Sequence, residues 1–200
     1  MKVNRTTLAE HRAAILAQAG QLFRRRGIAG VGVADITAAA GLTHGAFYGH
    51  FPSKQALAAE SCRDSLLAAA ARWRRRAARA ADAGADPLAA LIDGYLSRSH
   101  RDTPEIGCAL ATLGPETTRD PDLRAGLAAG TNALLSALVD ILATSRPHIA
   151  PPDRPAVALA ILSAMNGGLI LARALADTPD QSSAALIAAA AAARRAAEPF

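Results

Sequence analysis

The sequence predicts an all-α protein of about nine helices. Three observations carry this. The chain is half hydrophobic but only 4% aromatic, because alanine, the strongest helix former, dominates it. Apolar residues recur at intervals of three and four over most of the length, the signature of helices with one buried stripe. No stretch alternates with period two for long enough to make a strand. Two hundred residues allow one large domain or two small ones.

Residues 1–7 read as a polar arm carrying Lys2 and Arg5. A first helix is expected over Leu8–Arg26, with Ile15, Leu16, Ala19, Leu22 and Phe23 as its core stripe. Gly27 ends it, and Arg24, Arg25 and Arg26 occupy the last turn, where the helix dipole favours cations. Gly30-Val-Gly-Val leads into a second helix, Val33–Ala40, with Gly32 at its start. Gly41 follows, the residue that leaves a helix in the left-handed conformation without a Cβ clash. Leu42 plugs the corner. Thr43 then stands where an N-cap is wanted, its hydroxyl placed to accept from a free amide of a third helix, His44 to about His50.

The third helix separates into faces. Phe47 and Phe51 are four apart and face inward, whereas His44 and Tyr48 share another face. Gly45 and Ala46 are nearly bare. Gly within a helix costs roughly 1 kcal/mol against Ala, and close approach of the backbone to a large partner is a reason to keep it. Pro52 breaks the chain, and Ser53 caps a fourth helix, 53–81, whose apolar side holds Leu57, Cys62, Leu66, Leu67 and Trp73. Arg72, Arg74, Arg75, Arg76 and Arg79 read as its solvated face.

Asp86-Pro87 is a helix-start signal, and Leu88, Leu91, Ile92, Tyr95 and Leu96 mark the fifth helix. Arg98 to Pro104 reads as a polar loop and Ile106–Leu113 as a short apolar sixth helix ended by Gly114-Pro115. The seventh starts near Asp120-Pro121 and runs through Leu142; Arg146 to Pro152 is the clearest linker. The eighth, about Arg154–Ala176, is apolar around most of its circumference and must be buried on more than one side. Its charge-free stretch Pro155–Ala172 reaches the lower end of membrane-span length, but its Pro, Ser, Asn, Gly and Ala content reads as a buried helix. The ninth spans about Gln181–Ala197.

Charge is uneven. Residues 1–80 hold 13 Lys and Arg against 4 Asp and Glu, whereas residues 81–200 hold 9 against 13. A basic first part beside a mildly acidic second part suits a nucleic-acid-binding unit carried by a different domain. Cys62 and Cys108 form no CxxC or His/Cys cluster, so neither a disulfide framework nor a zinc site is expected. No secretion signal is read at the start, and a cytoplasmic location is expected, without a membrane partner. No nucleophile stands at motif spacing from a base, and no metal-ligand pair or phosphate-cradling Gly loop is present. The chain is therefore not read as an enzyme, and no cofactor is expected.

Val33-Ala-Asp-Ile…Ala40-Gly-Leu-Thr…Gly45-Ala-Phe-Tyr-Gly-His-Phe-Pro-Ser-Lys54 resembles the DNA-binding domain of the tetracycline-repressor (TetR) family of bacterial transcription regulators. The resemblance covers roughly residues 10–60. It implies a helix-turn-helix domain over 1–52 and a ligand-binding and dimerisation domain over 53–200, with the fourth helix connecting them. It implies a homodimer placing two recognition helices on a near-palindromic double-stranded operator, and release of DNA when an unidentified small molecule binds among the fifth to eighth helices. Thr43, Tyr48, His50 and Lys54 are then assigned to phosphates, and His44, Gly45 and Ala46 to the base edges. The family commonly has Ser or Thr capping the second helix and touching a phosphate. This chain has Gly32 there, and Thr37, one turn on, is the candidate substitute. Tyr95, His100, Cys108, Met165 and Asn166 are candidate pocket residues. The last two helices resemble the family's dimerisation pair, with Gly167 and Gly168 either permitting approach of the mate or relieving crowding against the seventh helix. Two alternatives remain: thiol-based sensing through Cys108, whose place near a helix N-terminus favours the thiolate, and a non-specific architectural DNA binder.

Overall fold

The computed structural model describes residues 5–118 and 120–198, without the side chain of Arg5. Lys2 and the rest of the first four residues lie outside the described residues. The described part of the arm is not an arm: α1 already begins at Arg5 and runs Arg5–Arg26. The next elements are α2 (Val33–Ala39), α3 (His44–Tyr48) and α4 (Lys54–Asp82). They follow the expected signals closely. Gly41 takes φ +70° between α2 and α3, and Ser53 Oγ accepts from the Ala56 amide at 3.0 Å to start α4.

The second part holds α5 (Pro87–Tyr95), α6 (Arg98–Asp102), α7 (Ala109–Leu113), α8 (Pro121–Ser145), α9 (Arg154–Ala174) and α10 (Pro179–Arg195). Carboxylates cap two of these: Asp86 accepts from Leu88 N–H and Asp120 from Leu123 N–H, both at 2.9 Å. The sequence expectation of a polar loop over 98–104 is corrected, since Arg98–Asp102 is helical. Its Ser97 Oγ accepts from the His100 amide at 3.2 Å. The expected sixth helix is shorter than its apolar run. Pro104–Ile106 makes a 3-10 turn and α7 starts only after Cys108.

α4 lies along α8, and α9 lies along α10, with α8 also touching α9. α5 fits between α4, α8 and α10. The core runs without interruption from Ile15, Phe23 and Phe47 in the first part to Leu138, Ile161 and Leu169 in the second. The α4–α8 approach is close because two glycines face α4. A Cβ on Gly130 would lie 2.6 Å from Leu66 Cβ, and one on Gly126 would collide with the Ala59 carbonyl. α8 and α9 are long and apolar enough to cross a membrane by length and composition alone. Here each buries one side in the bundle, with Leu134, Leu138, Ile161 and Met165 fully covered.

Candidate nucleic-acid interface and pocket

α2, α3 and the corner between them form a tight unit. Phe47 is fully buried and Phe51 nearly so, their rings 5.9 Å apart, which fixes the orientation of α3 from behind. The opposite face is open. Thr43, His44, Gly45 and Tyr48 are exposed, Tyr48 by 62%. The His44 and Tyr48 rings meet edge-on at 5.8 Å, as their four-residue spacing requires. Among the described residues, its neighbours and its own helix backbone apart, no atom lies within 4 Å of where a Cβ on Gly45 would be, so no packing contact there explains that glycine.

The proposed phosphate contacts divide. Thr43 is the N-cap residue of α3 by backbone conformation, yet its hydroxyl caps no amide. The expected local bond is absent, and the residue is exposed. His50 packs edge-on against His11 at 6.3 Å. Burial, then the neighbouring His11 and Arg12, lower its pKa, so at neutral pH it is an uncharged donor. Lys54 departs from its expected role. Its Nζ donates to the Ile28 and Val31 carbonyls, each at 2.9 Å, so two of its three N–H groups hold the α1–α2 connection. Thr37 is a plain correction: it is 2% exposed, and its hydroxyl donates back to the Val33 and Ala34 carbonyls. A β-branched hydroxyl in a short helix satisfies itself this way, and it cannot replace the missing hydroxyl at position 32. Gly32 does act as the N-cap of α2, with the Asp35 carboxylate accepting from its amide at 2.9 Å.

A pocket of about 400 Å³ opens between α4, α5 and the segment 103–108. Tyr95, His100 and Cys108 line it, as the sequence suggested; Met165 and Asn166 do not. Met165 is fully buried core. Asn166 stands behind the wall, its Oδ1 accepting a long bond from the Tyr95 hydroxyl at 3.5 Å. Tyr95 has its pKa raised, by burial first and then by the adjacent Cys108. His100 Nδ1 lies 2.6 Å from the Tyr95 carbonyl, while Nε2 faces the Cys108 amide at 3.0 Å. The first partner can only accept and the second can only donate, so the ring is the neutral Nδ1–H tautomer. Burial lowers its pKa, and Arg173 and Arg72 lower it further against the Tyr95 carbonyl. His100 therefore builds the pocket wall, and neither ring nitrogen is left for a ligand.

Sequence reasoning missed two features. Arg72 and Arg76, read as solvated, line the pocket together with Ala69 and Trp73. The signal was available, because positions 69, 72, 73 and 76 share one helical face. Arg24, assigned to the helix dipole, is buried. Its Nε and Nη2 donate to the Glu105 carbonyl at 2.9 and 2.6 Å, and Nη1 to Ser65 Oγ at 3.0 Å. Nothing local foretells this bond across 81 residues. It joins the end of α1 to the turn that walls the pocket. Gly168 is also settled. A Cβ there would collide with the Ala189 Cβ, so this glycine serves the α9–α10 contact and not the expected one with the seventh helix, α8. Gly167 faces open space.

A family model described as bacterial regulatory proteins, tetR family, matches residues 15–60, which spans the α1 core stripe, the corner, α3 and the start of α4. A TetR transcriptional regulator from Chloroflexus aurantiacus is 29% identical, with a TM-score of 0.68, covering 93% of this chain and 95% of its own. Over residues 15–60 the chain is similar to the DNA-binding domain of the TetR family. Members of that family are DNA-binding transcriptional regulators and not enzymes. A TetR-family regulator from Cytophaga hutchinsonii is 18% identical at a TM-score of 0.73, with both chains covered completely. The reduced form of NemR from E. coli is 20% identical at 0.73, covering 91% of this chain and 97% of that one. These two share the TetR fold. No curated relative matches in sequence.

Proposed function

We propose that this protein is a homodimeric, ligand-responsive repressor in the cytoplasm, releasing a near-palindromic operator when a small molecule enters the α4–α5 pocket. Residues 1–52 read DNA and residues 53–200 bind the effector and the second copy. Thr43 and Tyr48 bind phosphates, with His50 as a neutral donor at the edge. His44, Gly45 and Ala46 meet the base edges, where His44 alone has a side chain long enough to hydrogen-bond.

The observation that carries the coupling is the Arg24–Glu105 bond. One buried guanidinium ties α1 of the DNA-binding unit to the pocket-walling turn. A second link is longer: the Glu116 carboxylate accepts from the Ile28 amide at 3.4 Å. Movement of residues 103–108 on ligand entry is thereby felt at the base of the helix-turn-helix. Dimerisation is supported by the free side of α9 and α10, where Leu159, Ile170, Leu171 and Ile187 are exposed and Pro155–Ala172 carries no charge.

The test is selection of bound duplexes from random DNA at physiological salt, followed by release assays on the selected site. A near-palindromic consensus supports the reading. Binding without consensus that collapses as salt rises would instead favour an architectural protein. A second reading is thiol sensing, favoured by the position of Cys108 in the pocket wall. Alkylation that weakens operator binding in the wild type but not in Cys108→Ser supports it. Cys62 serves as the internal control, because burial pushes its pKa up to about 12.

A further inference from the structure

We propose that the effector is an organic anion, a carboxylate with an apolar body, held by Arg72 and Arg76 above the Trp73 and Tyr95 rings. This rests on the ligand-responsive reading and gives the pocket its chemical class. Four arginines lie near this region, and their partners sort them. Arg173 donates to the Arg101 and His100 carbonyls and to Thr112 Oγ1, and Arg24 is held by the Glu105 carbonyl and Ser65. Both are structural. Among the described residues, Arg72 makes no hydrogen bond or ion pair, and Arg76 has only a 3.5 Å bond to the Ala90 carbonyl. Two cations on one helix face, within one turn of each other, are thus left facing a cavity.

The cavity offers them no counter-charge. No Asp or Glu lines it. Burial lowers the Arg72 pKa, Arg75 adds to this, and no carboxylate is among the groups opposing it. The neighbouring Arg74 shows the contrast. One helical face away, it pairs with Asp140 at 2.7 Å. The Arg76 guanidinium lies across Gly94, in the space a Cβ there would occupy. The remaining wall is apolar and aromatic. The Trp73 and Tyr95 rings meet edge-on at 5.8 Å, and Leu91 and Ile106 complete it. Guanidinium groups suit carboxylates through paired N–H donors, and two partly desolvated ones bind an anion far better than an uncharged isostere.

Trp73 is the single tryptophan of the chain, so its fluorescence reports this pocket alone. The experiment titrates the full-length dimer with octanoate and phenylacetate, and with the matched amides and amines, reading Trp73 emission and release of the selected operator. The expected result is saturable binding of the carboxylates with operator release, and about tenfold weaker binding in both Arg72→Gln and Arg76→Gln. Each variant must keep the wild-type melting temperature and operator affinity without ligand, as expected when the one other bond between them is the 3.5 Å contact of Arg76 with the Ala90 carbonyl. Binding of the amides or amines as tightly as the carboxylates overturns the anion inference and leaves the ligand-responsive reading standing. Carboxylate binding unaffected by either substitution overturns it too. No change in Trp73 emission with any probe at millimolar concentration overturns the anion inference for bodies of this size. Carboxylate binding that depends on both arginines but leaves the operator bound keeps the anion site and removes the repressor reading.

Discussion

Arg24 sits at a helix C-terminus, where the dipole alone accounts for a cation, and its buried bond to the Glu105 carbonyl is a second duty that its position in sequence does not announce. Arg24→Met keeps most of the volume but strands that carbonyl and Ser65. The expected cost is about 1–3 kcal/mol of stability in chemical denaturation, together with a weaker response of DNA binding to ligand. Other side chains at this scale were legible by type but not by partner. Thr37 and Lys54 carry the donors that DNA needs, yet one is buried on its own helix and the other is bound to two carbonyls. A sequence shows which groups a side chain owns and not which neighbour reaches them first. Gly32 leaves α2 without a side-chain cap. With φ −86° and only ordinary contact for an added Cβ, Gly32→Ser should raise stability by about a few tenths of a kcal/mol, read as a higher melting temperature. A gain in operator affinity as well would show that the new hydroxyl reaches a phosphate. His100 gives a pH prediction. Below about 6.5 the unfolded chain takes up a proton that the buried ring resists, so stability falls with falling pH until the folded ring titrates too. His50 acts in the same direction. Denaturant melts between about pH 7 and 5 should show a shallower slope in His100→Gln than in wild type.

At the scale of elements, helices with strong punctuation were legible to within a few residues. Asp86-Pro87, Asp120-Pro121 and Ser53 each cap the helix they announced. α6 was not legible because its five residues show no apolar stripe; a serine cap and packing against α9 hold it instead. The paired glycines of α9 looked alike in sequence, and only the position of α10 separates them. Gly168→Ala should destabilise the fold by about 1–3 kcal/mol through overpacking against Ala189. Gly167→Ala, which meets no clash, should keep the monomer fold and stabilise it by up to about 1 kcal/mol, read as a higher melting temperature by circular dichroism at low concentration. If α9 meets its mate at that face, the same substitution should weaken the dimer in sedimentation equilibrium.

Across the whole molecule, the basic excess of the first 80 residues pointed to the right class for partly the wrong reason. Arg12 pairs with Glu60, Arg24 and Lys54 hold carbonyls, and Arg72 and Arg76 face the pocket. The charge is therefore not gathered on the exposed face of α3. Replacing Arg74, Arg75 and Arg79 with Gln should leave the salt slope of operator binding unchanged, whereas Tyr48→Phe should weaken binding about tenfold on every sequence. The glycines that let α8 approach α4 also have a mechanical consequence. Ala59 and Leu66 are pinned against Gly126 and Gly130, so a rigid α4 can rock there but not slide. Measured from the midpoint of these two contacts, Lys54 lies roughly 13 Å of helix before it and Arg72 roughly 14 Å beyond it. The two lever arms are nearly equal. A displacement imposed at Arg72 would arrive at Lys54 with similar amplitude and opposite sense, neither magnified nor lost.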